Sequence, residues 1–220
     1  MVLGSLTLPS SPHLNRWMMF VDGENFAINA RKFAERESFE LREGKHYMRD
    51  VFAWFPEVSA RKNWEVAAAE AKLSLELQPQ ARRSFYYTSL VGDDVRLKQV
   101  RQALHALHFE PQVFKKIRPE AKSKGVDLTL ATDMLCHAFN NSYDLAVLVA
   151  GDADYVPLVR EVKRRGKLVL VAFFTDGGLG FSEDLELVAD HGLNLSGMFA
   201  EKWKAHLTKP TEQPQQPAST

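Results

Sequence analysis

Leu145-Ala146-Val147-Leu148-Val149-Ala150, followed by Gly151-Asp152-Ala153-Asp154, is the stretch that decides the fold. An apolar run without alternation suits a strand buried on both faces, the situation of a strand inside a parallel sheet. Trp17-Met18-Met19-Phe20-Val21 has the same character and also runs into an aspartate, Asp22-Gly23. Further strand candidates lie at residues 84–90, 109–114 and 168–174, with Pro111 placing the 109–114 strand at a sheet edge because proline lacks a ladder donor. Helical stretches fall between them: 25–37, 93–107, 126–139, 156–165 and 182–190. Pro157 fits a first turn, Gly166 ends its helix, and Ser182 serves as an N-cap. On the 126–139 helix, Leu128, Ala131, Leu135 and Ala138 form the expected buried stripe. The alternation predicts an α/β, three-layer Rossmann-like domain around a mostly parallel sheet of five or more strands.

The 220 residues suit one such domain with tails. Hydrophobic residues at 45% provide a core and exclude global disorder. A single cysteine, Cys136, excludes a disulfide framework and a cysteine-based zinc site, and its place inside a helix suggests core packing. No stretch approaches the roughly 20 apolar residues of a membrane span, and no basic segment precedes an apolar run near the start, so the expected setting is cytoplasmic, without membrane contact. Residues 1–15 read as a flexible arm, 16–200 as the domain, and 201–220 as a largely disordered tail. Residues 41–80 break the alternation. They read as a helical insertion near a sheet edge, with a helix over 59–77.

Aspartates at strand ends carry the chemistry. In an open parallel sheet, ligands bind beyond the carboxyl ends of the strands where the strand order reverses. If the strands ending at Asp22 and Asp152 are neighbours, both carboxylates reach that crevice, with Asp154 close behind and Asp127 aimed there from the start of its helix. Such carboxylates repel one another unless a cation neutralises them. Oxygen-only donors select a hard ion such as Mg²⁺ or Mn²⁺. Taken singly, each aspartate is equally a cap or turn residue. Asp133, six residues after Asp127, lies about 120° round the helix and borders the cleft without pointing the same way. Asn25 is either a ligand-orienting amide or the N-cap of its helix; Glu24 is expected to face solvent.

The blocks Phe20-Val21-Asp22-Gly23-Glu24-Asn25, Lys124-Gly125-Val126-Asp127 with Asp133, and Ala150-Gly151-Asp152-Ala153-Asp154-Tyr155 together resemble the signature of the NYN domain family, most closely its LabA-like branch. Gly166-Lys167-Leu168-Val169 and Phe181-Ser182-Glu183-Asp184-Leu185 extend the resemblance over residues 16–200. It implies a PIN-like fold and a Mg²⁺- or Mn²⁺-dependent ribonuclease in which Asp22, Asp127, Asp152 and Asp154 hold the metal, with Asn25 beside it. Intact motifs are also compatible with a catalytically silent RNA-binding or regulatory module. A phosphatase using Asp22 as nucleophile is disfavoured, because Asp22-Gly23-Glu24 lacks the second aspartate two residues on.

Charge is uneven along the chain: residues 95–126 carry net +6 and residues 127–220 net −5. Lys115, Lys116, Arg118, Lys122 and Lys124 precede Asp127 and are candidate RNA contacts, with Arg31 a secondary one. Tyr155 and Tyr87 are placed to stack on bases, although packing is the simpler expectation. A homodimer is a further possibility, with Trp54, Phe55 or the 41–80 insertion as its surface.

Overall fold

The computed structural model describes residues 14–118, 124–175 and 182–207. The expected arm before residue 14, Lys122, Phe181 and the tail beyond residue 207 lie outside them, as does the Lys124 side chain. Six strands form one sheet: β1 (Trp17–Asp22), β4 (Ser84–Leu90), β5 (Glu110–Lys115), β6 (Leu145–Val149), β7 (Leu168–Phe173) and β8 (His191–Asn194). The order is β5-β4-β1-β6-β7-β8, with every neighbouring pair parallel. Pro111 lies on the edge strand β5, where a missing donor is tolerated. The order reverses between β1 and β6, which pair as Val21↔Val149, so their carboxyl ends lie side by side.

Helices cover both faces. On one side α4 (Lys124–Phe139) and α5 (Val156–Arg164) bury Met18, Phe20, Ala146, Leu148 and Val171, with α6 (Glu183–Val188) beside them. The stripe α4 buries is Val126, Leu130, Met134 and Ala138, whereas Leu128 is 68% exposed, which corrects the expected phase. The helix is apolar nearly all round, so spacing alone does not fix its orientation. Cys136 is exposed rather than packed.

The other face is covered by α1 (Gly23–Arg36), α3 (Asp94–Ala106), the 41–80 segment and α7 (Ser196–Leu207). The 41–80 segment is not simply helical. It holds a two-stranded hairpin, β2 (Tyr47–Met48) with β3 (Phe52–Ala53), a 3-10 turn and α2 (Arg61–Glu70). Helix α2 stops seven residues short of the expected end. Lys72 turns into the left-handed region (φ 58°), the Leu73 N–H returns to the Ala68 carbonyl, and Leu77 goes into the core. The segment therefore packs over a sheet face and not merely along an edge. Trp54 and Phe55 are interior, so neither supplies a dimer surface. Phe199 of α7 closes the same core, 4.7 Å from the rings of both Phe55 and Phe174. Residues 201–207 thus continue a helix and are not tail.

Gly23 is the tightest junction. A Cβ there would stand 1.9 Å from Cε1 of Tyr86, a fully buried ring whose hydroxyl accepts the Ala53 N–H at 3.1 Å and lies 3.4 Å from the Gly23 carbonyl. Tyr86 thereby ties β4 to the hairpin beneath α1, and only glycine leaves it room. Gly23→Ala should destabilise the fold by about 1–3 kcal/mol through overpacking, read as a lower urea midpoint; an unchanged midpoint would show that the junction has slack.

Candidate active site

Asp22 is the last residue of β1 and the N-cap of α1: its Oδ1 accepts the Asn25 N–H at 3.1 Å. The cap is therefore Asp22 and not Asn25, whose side-chain oxygen instead accepts from Asn29 at 3.0 Å. Capping holds the Asp22 carboxylate at the crevice and buries it to 5% exposure. Its Oδ2 accepts the Tyr155 hydroxyl at 2.9 Å, and the same hydroxyl lies 3.3 Å from Oδ1 of Asp127. One phenolic proton thus faces two carboxylates brought from β1 and α4. Burial raises the Asp22 carboxyl from its ordinary 3.8 to about 7, with the Asp127 and Glu24 charges adding to the rise and the Asn25 and Tyr155 hydrogen bonds opposing it. Asp127 stands at the rim; partial desolvation, then the charges of Asp152, Glu24 and Asp154, raise its carboxyl against the Tyr155 hydrogen bond.

Asp152 and Asp154 are exposed beside this pair, and Asp152 Oδ1 accepts the Asp154 N–H at 3.1 Å in a short 3-10 turn. That turn carries Tyr155 inward, where it is buried and its own ionisation is strongly suppressed. Asp133 is engaged elsewhere: it accepts the hydroxyl of the fully buried Tyr87 at 2.9 Å. Tyr87 is the β4 register partner of Asp22, so Asp133 borders the pair without joining it.

Sequence reasoning missed three participants. Tyr155 and Tyr87 are hydrogen-bond donors to carboxylates, a role that a buried tyrosine's need for a partner signals. Glu24 does not simply face solvent: one carboxylate oxygen accepts the Ser89 hydroxyl at 2.6 Å and the other binds the Lys116 ammonium. Lys116, 8% exposed, is therefore already neutralised. Arg31 is likewise held, by Asp50 at 2.7 Å and Glu35 at 2.9 Å, which raises its pKa. Lys115 and Arg118 are exposed.

Among the described residues no three His, Cys, Asp or Glu side chains stand as a ready-made ligand cage, and no cation pairs with Asp22. A buried carboxylate opposed by further carboxylates, with oxygen donors alone, has the chemistry that a hard divalent cation satisfies. The residues present fit such an ion. A larger cleft of 560 Å³, lined by Trp17, Arg83, His105 and Glu110, opens around the amino ends of β4 and β5, away from this chemistry.

The NYN domain family model matches residues 16–196. The chain belongs to the NYN domain family. NYN domains are a nuclease-type, PIN-like family. It is 31% identical over 90 residues to the uncharacterized protein MJ0482 of Methanocaldococcus jannaschii, a match spanning 41% of this chain and 36% of that one. The chain thus covers about a third of that relative's length. The crystal structure of VPA0982 from Vibrio parahaemolyticus, a protein of unknown function, superposes with a TM-score of 0.54 at 20% identity, covering 84% of this chain and 95% of that chain. This second likeness concerns the fold. No described helix is long and apolar enough to cross a membrane.

The Asp22 shift has a consequence for stability. Between about pH 4 and pH 7 the native state holds a proton that the unfolded chain has released, so this group's contribution to stability falls as pH rises. Asp22→Asn keeps the cap and removes the buried charge. In EDTA its melting temperature relative to the unsubstituted protein should rise from pH 4 to pH 7 and stay level above. A variant that melts lower at pH 8 would contradict the buried-charge account.

Proposed function

We propose that this protein is a Mg²⁺- or Mn²⁺-dependent endoribonuclease of the LabA-like branch, working through Asp22, Asp127, Asp152 and Asp154. The observation that carries the reading is the buried Asp22 carboxylate sharing the Tyr155 hydroxyl with Asp127 where the strand order reverses. The LabA-like assignment rests on the Phe20–Asn25, Lys124–Asp127 (with Asp133) and Ala150–Tyr155 blocks in combination.

A divalent ion held at these carboxylates would supply Lewis acidity for activating water and for offsetting charge on phosphoryl oxygens. The chain's own groups prepare that chemistry. Asp22 and Asp127 provide hard oxygens held by an N-cap and a helix start. Tyr155 keeps the pair aligned and, having only one proton, leaves carboxylate lone pairs free. Asp152 and Asp154, on an exposed turn, face a phosphate approaching from solvent. Asn25, with its amide oriented by Asn29, borders the same entry. Lys115 and Arg118, with Lys122 and Lys124 from the same basic segment, supply phosphate attraction without base selectivity. RNA is the partner we assign.

The test is cleavage of end-labelled single-stranded and hairpin RNAs with Mn²⁺, Mg²⁺ or EDTA. Cleavage should require the metal, give internal products, and fall about 100-fold or more in Asp152→Asn, since several kcal/mol of transition-state stabilisation depend on a correctly held ion. A folded Asp152→Asn protein with full activity would overturn the site. RNA binding without cleavage under any metal would leave a silent binding module in its place.

A further inference from the structure

The Lys116–Glu24–Ser89 group is the inner wall of a second cleft, of 400 Å³, at the carboxyl ends of β4 and β5. Its size falls within the range of small-ligand pockets. Ile28, Leu90 and Val91 give it an apolar side, with Val91 42% exposed at the mouth. Glu24 is common to both sites, because its charge acts on Asp22 and Asp127 as well as on Lys116. The cleft therefore abuts the carboxylate crevice directly.

Its ionic groups divide into two sets. Lys116 is paired with Glu24, and Arg31 with Asp50 and Glu35. Arg49 and Arg96 differ. Arg49 is 67% exposed with only a 3.9 Å approach to Asp50, and the exposed Arg96 makes no side-chain ion pair among the described residues. Glu43, which accepts the Arg49 backbone N–H at 3.0 Å, is the one acid of the lining outside those pairs. Two available guanidiniums around an apolar recess, next to a phosphodiester-cleaving centre, match a nucleotide: cations for phosphates and an apolar wall for a base.

We propose that this cleft binds the nucleotides flanking the scissile phosphate on one side, with Arg49 and Arg96 each contacting a phosphate and a base resting on Ile28, Leu90 and Val91. The proposal takes its ligand class from the nuclease reading above. It also assigns Lys116 a different part: that ammonium positions Glu24 and shapes the shared wall.

The test is fluorescence anisotropy of labelled single-stranded RNA in EDTA across a salt series, for the unsubstituted protein, Arg49→Gln/Arg96→Gln and Lys98→Gln, an exposed control on α3. Each phosphate contact on a single strand adds roughly 0.7 to the slope of log K against log salt, so the double variant should lose about 1.4 from it and bind at least tenfold more weakly. Lys98→Gln should match the unsubstituted protein. Unchanged slope and affinity in the double variant would overturn the cleft, while metal-dependent cleavage by the same preparation would leave the nuclease reading standing. A lost slope in a protein that never cleaves would do the reverse, supporting the cleft and removing the nuclease. No RNA binding by the unsubstituted protein would overturn the cleft as a nucleotide site.

Discussion

The candidate site is built round one unfavourable burial: the carboxylate of Asp22, enclosed at the end of a central strand, beside other carboxylates and without a cationic side chain paired to it among the described residues. Isolated buried charge is expensive. The fold offsets part of the cost with the α1 amide and the Tyr155 hydroxyl, and leaves the rest as a raised pKa. A structure that needed only a helix cap could use an exposed aspartate. Holding this one inside makes sense when a positive ligand completes it.

The surrounding architecture serves that placement. Parallel pairing of β1 with β6 brings two strand ends together, and the reversal of strand order opens the space between the helices that follow them. Gly23 lets α1 start directly against Tyr86, which fixes the Asp22 cap. The hairpin and α2 of the 41–80 segment, with Phe199 of α7, pack aromatic rings over the opposite face of the sheet.

The sheet was legible because its central strands are apolar on both faces, and the aspartates at their ends stood out against that background. The placement of Asp22 and Asp152 near adjoining strand ends was legible too, since both follow runs that are easy to recognise. Other features carried little local signal. Strand β8 is His191-Gly192-Leu193-Asn194, with no apolar run, and the β2 and β3 strands are two residues each, too short for periodicity. The phase of α4 was ambiguous because Leu128 and Leu135 compete with Val126, Leu130 and Met134. Glu24 looked solvated because its partners, Ser89 and Lys116, lie 65 and 92 residues away. Lys116 looked like a free cation for the same reason, whereas one of Arg31's two partners, Glu35, stands only four residues further along α1. Sequence proximity shows where charges are numerous, and only tertiary pairing shows which are already neutralised.

The most direct test of the central claim is anomalous diffraction from crystals grown or soaked with Mn²⁺. The account predicts a manganese peak within coordination reach of Asp22 and Asp127. A peak elsewhere, or none at this crevice in crystals whose carboxylates are free of lattice contacts, would contradict it.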